Sequence, residues 1–229
     1  MTTPSPSPSQ RHPVLRVWRS GLTLSPATQN DALDVQRLHH LVLSGFRLRP
    51  DPEGPGRLPR VLFAAARTAP RPGRRSAGAN VPQRLLVQCH ERPDWQPLLD
   101  SGQLTAADTT FTVQSYADGD AIALRTIANP TYHDHGTRRT ACADTSDCAA
   151  WLHRKLTAGG LDLPAHHISV GEPVRLTGRK NSHRITVISR ELQARATVHD
   201  AQRLYTLLAE GIGHAKPYGC GLLLARPLR

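Results

Sequence analysis

Two stretches of this chain carry side chains whose types and spacing could do chemistry. The first is Gly211-Ile212-Gly213-His214-Ala215-Lys216-Pro217-Tyr218-Gly219-Cys220-Gly221. Four glycines, Gly211, Gly213, Gly219 and Gly221, surround one lysine, Lys216. Glycine reaches positive φ and lets a ligand approach the backbone closely. Successive exposed N–H groups form a nest for an anion, to which Lys216 adds a charge. Such a run suits phosphate binding and an ordinary glycine-rich connection equally well. It lacks the glycine-lysine-Ser/Thr ending before a helix, which argues against nucleoside triphosphate hydrolysis. The second stretch is His39-His40. An imidazole that titrates near neutrality can take or give a proton. Two readings are open for His39: a partly buried structural histidine, or an acid–base group at the edge of a cleft.

Other candidates carry less. His133-Asp134-His135 with Cys142 and Cys148 has ligand types for zinc, but the spacings match no standard finger and a polar loop is expected. His166-His167 reads as a loop pair. No run of carboxylates suits a two-metal site. Neither a metal nor a cofactor is therefore expected. Arg138-Arg139, Arg154-Lys155, Arg175, Arg179-Lys180 and Arg184 enrich the second half in positive charge. Taken alone, they describe a solvated basic face.

Positioning these groups requires a scaffold, and its elements can be read in order. Met1 to Pro13 is rich in Ser, Pro and Thr and reads as a disordered tail without the apolar core of a secretory signal. Val14 to Leu24 alternates as a strand. Asn30 and Asp31 can cap a helix from about Ala32 to Phe46. On that helix Val35, Leu38, Leu41, Val42 and Phe46 form an apolar face, His39 lies at its margin, and His40 points away beside Arg37 and Ser44. A loop over Arg47–Leu58 leads to strands at Arg60–Thr68 and Arg84–His90, with a mobile basic stretch between them at Ala69–Pro82. A short helix within Pro93–Asp100 and a strand at Phe111–Tyr116 follow. The order repeats from about Asp118: strand Ala121–Ala128, helix Asp144–Ala158, strands Val174–Lys180 and Ile185–Val198, helix Asp200–Glu210 and strand Leu222–Ala225. Each half reads strand, helix, strand, strand, helix, strand. The expectation is an α+β chain of two tandem ferredoxin-like (RRM-like) domains, residues 14–117 and 118–229, with a cleft between them.

Composition narrows the partner. Twenty-nine Lys and Arg against eighteen Asp and Glu give a formal charge of +11, spread along the chain rather than gathered in a tail. Such a surplus favours a polyanion, nucleic acid before an anionic membrane, although Arg-rich codon usage can also produce it. Aromatic residues make up only 4%, which argues against binding by base stacking alone. No apolar run approaches the roughly eighteen residues that cross a bilayer. The four cysteines, Cys89, Cys142, Cys148 and Cys220, form no C-x-x-C pair. Reduced thiols and a cytoplasmic location are expected.

The glycine-rich segment also carries a resemblance. It is similar to the C-terminal loop of the CasE family of type I-E CRISPR repeat endoribonucleases, G-I-G-x-A-K-x-x-G-C-G-L-L. Every fixed position is present, with His214 at the first variable one. Val87-Gln88 with Pro93-Asp94-Trp95 resembles that family's L-V-Q…P-D-W segment. Leu124-Arg125 with Ala128-Asn129-Pro130, and Ala150-Trp151-Leu152 with Arg154-Lys155-Leu156, resemble its L-R-A-N-P and A-W-L-x-R-K segments. The matches run from residue 38 to 227.

The resemblance implies the tandem ferredoxin-like fold, binding of a CRISPR repeat RNA hairpin, metal-independent cleavage at its 3′ base, and membership of the Cascade complex. It implies that His39, following Leu38 on the first helix, is the catalytic histidine. It turns Gly211, Gly213, Lys216, Gly219 and Gly221 into RNA-binding candidates. Arg138, Arg139, Arg175, Arg179, Lys180 and Arg184 join them, since cations can track hairpin phosphates. Two departures stand out. Gln36 occupies the place of a tyrosine found in some members one turn before the histidine. Thr131-Tyr132 replaces a lysine after Asn129-Pro130, so Tyr132 is the candidate for the missing phenol. Gln36 supports an alternative, a non-catalytic RNA-binding scaffold of the same fold. A DNA-binding regulator finds no helix-turn-helix pattern.

Overall fold

The computed structural model describes residues 14–47, 49–51, 54–57, 59–67, 81–134, 138–142 and 144–228. The segment 1–13, read above as a disordered tail, and most of the stretch 69–82, read as mobile, lie outside the described residues. Among the described residues no helix is long and apolar enough to cross a membrane.

The chain is α+β. Its first half runs β1 (Val14–Leu24), α1 (Pro26–Asp31), α2 (Val35–Leu43), β2 (Arg49–Asp51), β3 (Gly54–Arg57), β4 (Val61–Arg67), β5 (Pro82–Cys89), α3 (Gln96–Asp100) and β6 (Leu104–Ser115). Four of these strands form an antiparallel sheet in the order β4-β5-β1-β6. The second half runs β7 (Ala121–Ala128), β8 (Thr131–Asp134), β9 (Arg138–Ala141), α4 (Thr145–Ala158), β10 (Leu161–Asp162), β11 (Ile168–Val170), β12 (Val174–Lys180), β13 (His183–Val198), α5 (Ala201–Glu210) and β14 (Leu223–Pro227). Its main sheet has the order β10-β13-β7-β14. In each sheet the first long strand of the half lies between the third and the fourth. That is the ferredoxin-like arrangement, here in tandem.

The expected single helix over Ala32–Phe46 is two helices. Pro26 stands at the start of α1, where its missing N–H costs nothing, and the Ser25 side chain caps it. Asn30 and Asp31 therefore end a helix instead of starting one. The cap of α2 is Asp34, whose carboxylate accepts from the N–H groups of Gln36 (2.8 Å) and Arg37 (3.1 Å). At the other end α2 stops before Gly45, where a Cβ would come within 2.1 Å of the Trp95 ring. Trp95 is held in turn: its indole N–H donates to Ser20 Oγ (2.9 Å), and Asp94 N–H donates to Gly45 O (2.8 Å). The Pro93-Asp94-Trp95 segment thus fastens the end of α2 to β1.

Other elements also depart from expectation. The loop predicted over Arg47–Leu58 contains the β2–β3 hairpin. β6 begins at Leu104 rather than Phe111, because it pairs with β1 along nearly its full length. Its polar residues sit on an edge strand with much of its surface in solvent, so its first half shows little apolar alternation. The polar loop after Pro130 is the β8–β9 hairpin. The second strand of the second sheet is broken into β10, β11 and β12, all of which pair with β13.

That break matters for the site. Residues 190–197 of β13 pair with β7, whereas residues 183–189 pair with β12. The β12–β13 hairpin therefore runs past the sheet and reaches the first half. Contacts between the halves run along much of their length, and some of them are buried. Leu15, Val17 and Tyr116 are buried within the core of the second half. Gln88 is buried, donates its amide to Leu208 O (2.9 Å) at the end of α5, and accepts from Arg19 Nε (3.0 Å). A smaller cluster unites Val35 of α2, Leu176 and Val187 of the hairpin, and Cys220.

Candidate active site

α2 places its two histidines in different surroundings, as its 3.6-residue period requires. Val35, Leu38 and Val42 are buried, His39 is half-buried and His40 is exposed. His40 lies beside Gln36, whose amide donates to His40 Nε2 (2.7 Å). His39 instead opens into a cleft of about 430 Å³, lined among others by Val42, Arg60, Phe63, Lys216 and Pro217. His40 lines a separate depression with Arg37 and Ser44. Burial, and then the charges of His40 and Lys180, hold the His39 imidazole below its ordinary value of 6.5. The neutral ring predominates at pH 7 and can accept a proton.

The cleft gathers cations from separate elements. Lys216 stands at the start of a 3₁₀ turn, Lys216–Tyr218, within the glycine-rich segment. Burial, and then the charges of Arg60 and Lys155, lower its pKa, with Glu210 opposing. Arg60 lies 3.7 Å from Glu210 across an exposed ion pair. The Tyr218 ring meets the His39 ring edge-on, with centroids 6.4 Å apart. A neutral imidazole among ammonium and guanidinium groups can deprotonate a hydroxyl while the cations stabilise an oxyanion on phosphorus.

The glycines act differently from the anion nest considered above. Gly211 N–H donates to Leu207 O, Gly219 N–H to Lys216 O, and Gly221 N–H to Ile127 O. These three donors are engaged within the protein. What the sequence secures with them is shape. All four glycines have positive φ. Gly213 lies against the Trp151 ring and Gly219 against Phe63, while a Cβ at Gly221 would sit 2.3 Å from Ile212 O. Lys216 is the charged group that the folded loop offers to a ligand. Gly221→Ala is expected to cost at least about 1–3 kcal/mol through its left-handed backbone alone, with more from the backbone clash. Urea denaturation would measure it, as a lower midpoint at unchanged slope.

The remaining candidates divide. Arg175, Arg179, Lys180 and Arg184 are exposed on the β12–β13 hairpin. Side chains alternate along a strand, and residues directly opposite share a face. Arg179 faces the same side as its partner Arg184, and Arg175 also lies there. Lys180 lies on the other side with Gly178 and Leu176, toward α2. Arg138 and Arg139 belong to β9, opposite Asp134 and His133, and their side chains lie outside the described residues. Tyr132 is exposed on β8. The phenol that meets His39 is Tyr218, not Tyr132. Of the zinc-type residues, His135 lies outside the described residues. Cys142 and Cys148 are buried thiols, that of Cys148 pushed up to about 11 chiefly by burial. Among the described residues no group of three or more His, Cys, Asp or Glu could hold a metal ion.

Sequence reasoning passed over Tyr218, Arg60 and Asp34. Tyr218 lay in plain view, at a variable position of the glycine-rich pattern. Asp34 had the signal of an acidic cap before an apolar run, and was passed over for Asn30 and Asp31. Arg60 had no local signal.

Comparison with known proteins agrees with this architecture. The family model described as CRISPR associated protein matches residues 17–227. The CRISPR-associated endoribonuclease Cse3 of Thermus thermophilus is 27% identical over 224 residues, spanning 92% of this chain and 100% of the relative. The CRISPR system Cascade subunit CasE of Escherichia coli is 39% identical over 79 residues, 34% of this chain and 38% of that one. A solved structure of Thermus thermophilus Cse3, bound to an RNA representing a pre-cleavage complex, superimposes with a TM-score of 0.75 at 26% identity, covering 93% and 100% of the two chains. With a match over nearly its whole length and the same tandem fold, the chain belongs to the CRISPR associated protein family, on its Cse3/CasE branch.

Proposed function

We propose that this chain is a metal-independent endoribonuclease that binds the hairpin of CRISPR repeat RNA and cuts precursor RNA at the hairpin's 3′ base. It then remains on the mature RNA as a subunit of Cascade, in the cytoplasm. The observation that carries this reading is the half-buried His39 facing a cleft shared with Lys216 and Arg60. The names of its relatives, an endoribonuclease seen with bound RNA and a Cascade subunit, support it.

RNA brings its own nucleophile, the 2′-OH beside the scissile phosphate. Alignment of that hydroxyl with the departing 5′-oxygen makes the reaction intramolecular. Neutral His39 accepts the 2′-OH proton as the 2′-oxygen bonds to phosphorus. The bond from phosphorus to the 5′-oxygen breaks, and that oxygen takes up a proton. The products are a 2′,3′-cyclic phosphate and a 5′-OH. Lys216, with Arg60 beside it, counters charge that grows on the phosphoryl oxygens. The outer arginines of the hairpin, Arg175, Arg179 and Arg184, lie where they can follow RNA phosphates.

The second reading, a non-catalytic RNA-binding scaffold, draws on Gln36, whose amide is engaged with His40 and provides no phenol. One experiment separates the two. Repeat RNA is incubated with the protein in excess chelator, beside RNA with a 2′-deoxy sugar at the cut site. Cleavage of the first and none of the second is expected. Tight binding without cleavage of either would establish the scaffold, and cleavage of the deoxy substrate would rule out 2′-OH attack.

A further inference from the structure

We infer that Asp34 is a positioning residue that docks the β12–β13 hairpin onto the helix carrying His39, so that the RNA-facing hairpin and the catalytic histidine are held as one unit. This rests on the role given to His39 above. The two oxygens of Asp34 do different work. Oδ1 caps α2 through the N–H groups of Gln36 and Arg37. Oδ2 accepts from the N–H of Arg179 (3.1 Å), a residue of the other half. Arg179 lies on β12, which among the described residues pairs in a sheet with β13 alone and so leaves an edge toward α2. A backbone bridge between Asp34 and Thr177 adds to the same contact.

The approach is close enough that a Cβ would press on the joint. A Cβ on Gly178 would lie 2.8 Å from Asp34 Oδ1, 3.0 Å from Val35 Cγ2 and 3.1 Å from Gln36 N. Beneath the joint Val35, Leu176, Val187 and Cys220 form a small core. His39 follows Val35 by one helical turn and lies on the same face. The hairpin tip therefore meets the helix beside His39. In agreement, the Lys180 charge acts on the His39 imidazole. Arg175, Arg179 and Arg184 lie on the outer side of the same two strands, so a pull from RNA there is transmitted to the inner side.

Two substitutions test the joint from opposite sides. Asp34→Ser keeps one hydroxyl to cap α2 and removes the second oxygen. Gly178→Ala leaves Asp34 intact and wedges the strand away without changing charge. The first readout needs no RNA: the His39 imidazole is titrated by NMR in the free protein, its signal identified by its loss in His39→Ala. The charged and titratable groups around His39 are His40 on its own helix, Asp34 at the cap of that helix, Lys180 from the hairpin, Lys216 and Tyr218 from the loop, and Arg60 before β4. Of these only Lys180 moves with the hairpin in the variants. Release of the hairpin raises the His39 pKa by removing a cation and admitting water. Loss of the Asp34 charge by itself would lower it, so the sign separates the two causes.

The second readout is single-turnover cleavage beside hairpin affinity. Cleavage is expected to fall roughly 10- to 100-fold, the cost of misplacing a reacting group by about an ångström. An unchanged His39 titration and unchanged cleavage in both folded variants would overturn the proposal. If the titration moves upward and the wild type cleaves no RNA, the joint stands and the nuclease reading fails. Should either variant fail to fold, Lys180→Ala, an exposed position, decides the matter: the His39 pKa must rise, and its constancy would refute the docking of the hairpin beside His39.

Discussion

His39→Ala is expected to slow single-turnover cleavage of a repeat hairpin by about 10²- to 10⁴-fold while its affinity for that hairpin stays nearly unchanged. The size follows from the loss of a positioned proton acceptor. The unchanged affinity follows because the interaction belongs to the transition state, where the proton moves, and not to the bound ground state. His40→Ala is the internal control. It shares the composition and charge of its neighbour, yet it opens into a separate depression and is engaged with Gln36 at 2.7 Å. Its variant should cleave at close to the wild-type rate. The pH profile adds a sign. Burial and neighbouring cations hold His39 below 6.5, so the inflection for the essential base lies below that value and activity falls on acidification through it. Single-turnover rates from pH 5 to 8 and filter binding on one hairpin would measure both. If His40→Ala loses activity and His39→Ala keeps it, the site is wrongly assigned.

The affinity for hairpin RNA should fall steeply with salt, and Lys216→Ala should weaken binding to every hairpin tested. A formal charge of +11 and exposed cations on the hairpin provide for many phosphate contacts. A protein with about six to ten such contacts loses roughly 10³- to 10⁵-fold in affinity between 50 and 200 mM salt. Lys216 is the charged member of a loop whose glycine N–H groups at 211, 219 and 221 are engaged internally. Its removal takes away about one phosphate contact, so the logarithmic salt slope should become shallower by about 1. A phosphate contact carries little base information, so the loss should be similar for cognate and altered repeats. Titrations at several salt concentrations, with both proteins and two hairpins, provide the test. A salt-insensitive affinity would contradict the electrostatic account, and a loss confined to one hairpin would assign Lys216 to base recognition.

The sequence by itself determined what depends on near neighbours. Apolar spacing on α2 placed Val35, Leu38 and Val42 inward, His39 at the margin and His40 outside, because a helix fixes those directions within two turns. Alternation and turn residues gave the order of elements in both halves, and so the tandem fold. Glycines at 211, 213, 219 and 221 marked a loop of special shape, since their positive φ values are local properties. Where several local signals competed, the sequence alone misled: Asn30, Asp31 and Asp34 all suit a cap, but the first two lie at the end of α1, which Ser25 caps, and Asp34 caps α2. Tertiary structure alone decided the rest. It turned three glycine N–H groups inward, set Tyr218 rather than Tyr132 against His39, brought Arg60 and Lys216 to one cleft, and put the Lys180 charge within reach of the imidazole. It also joined Asp34 to Arg179 across a separation of 145 residues. No local pattern encodes that contact. It exists because two sheets pack together, β13 extends beyond its own sheet, and Gly178 leaves room for the approach.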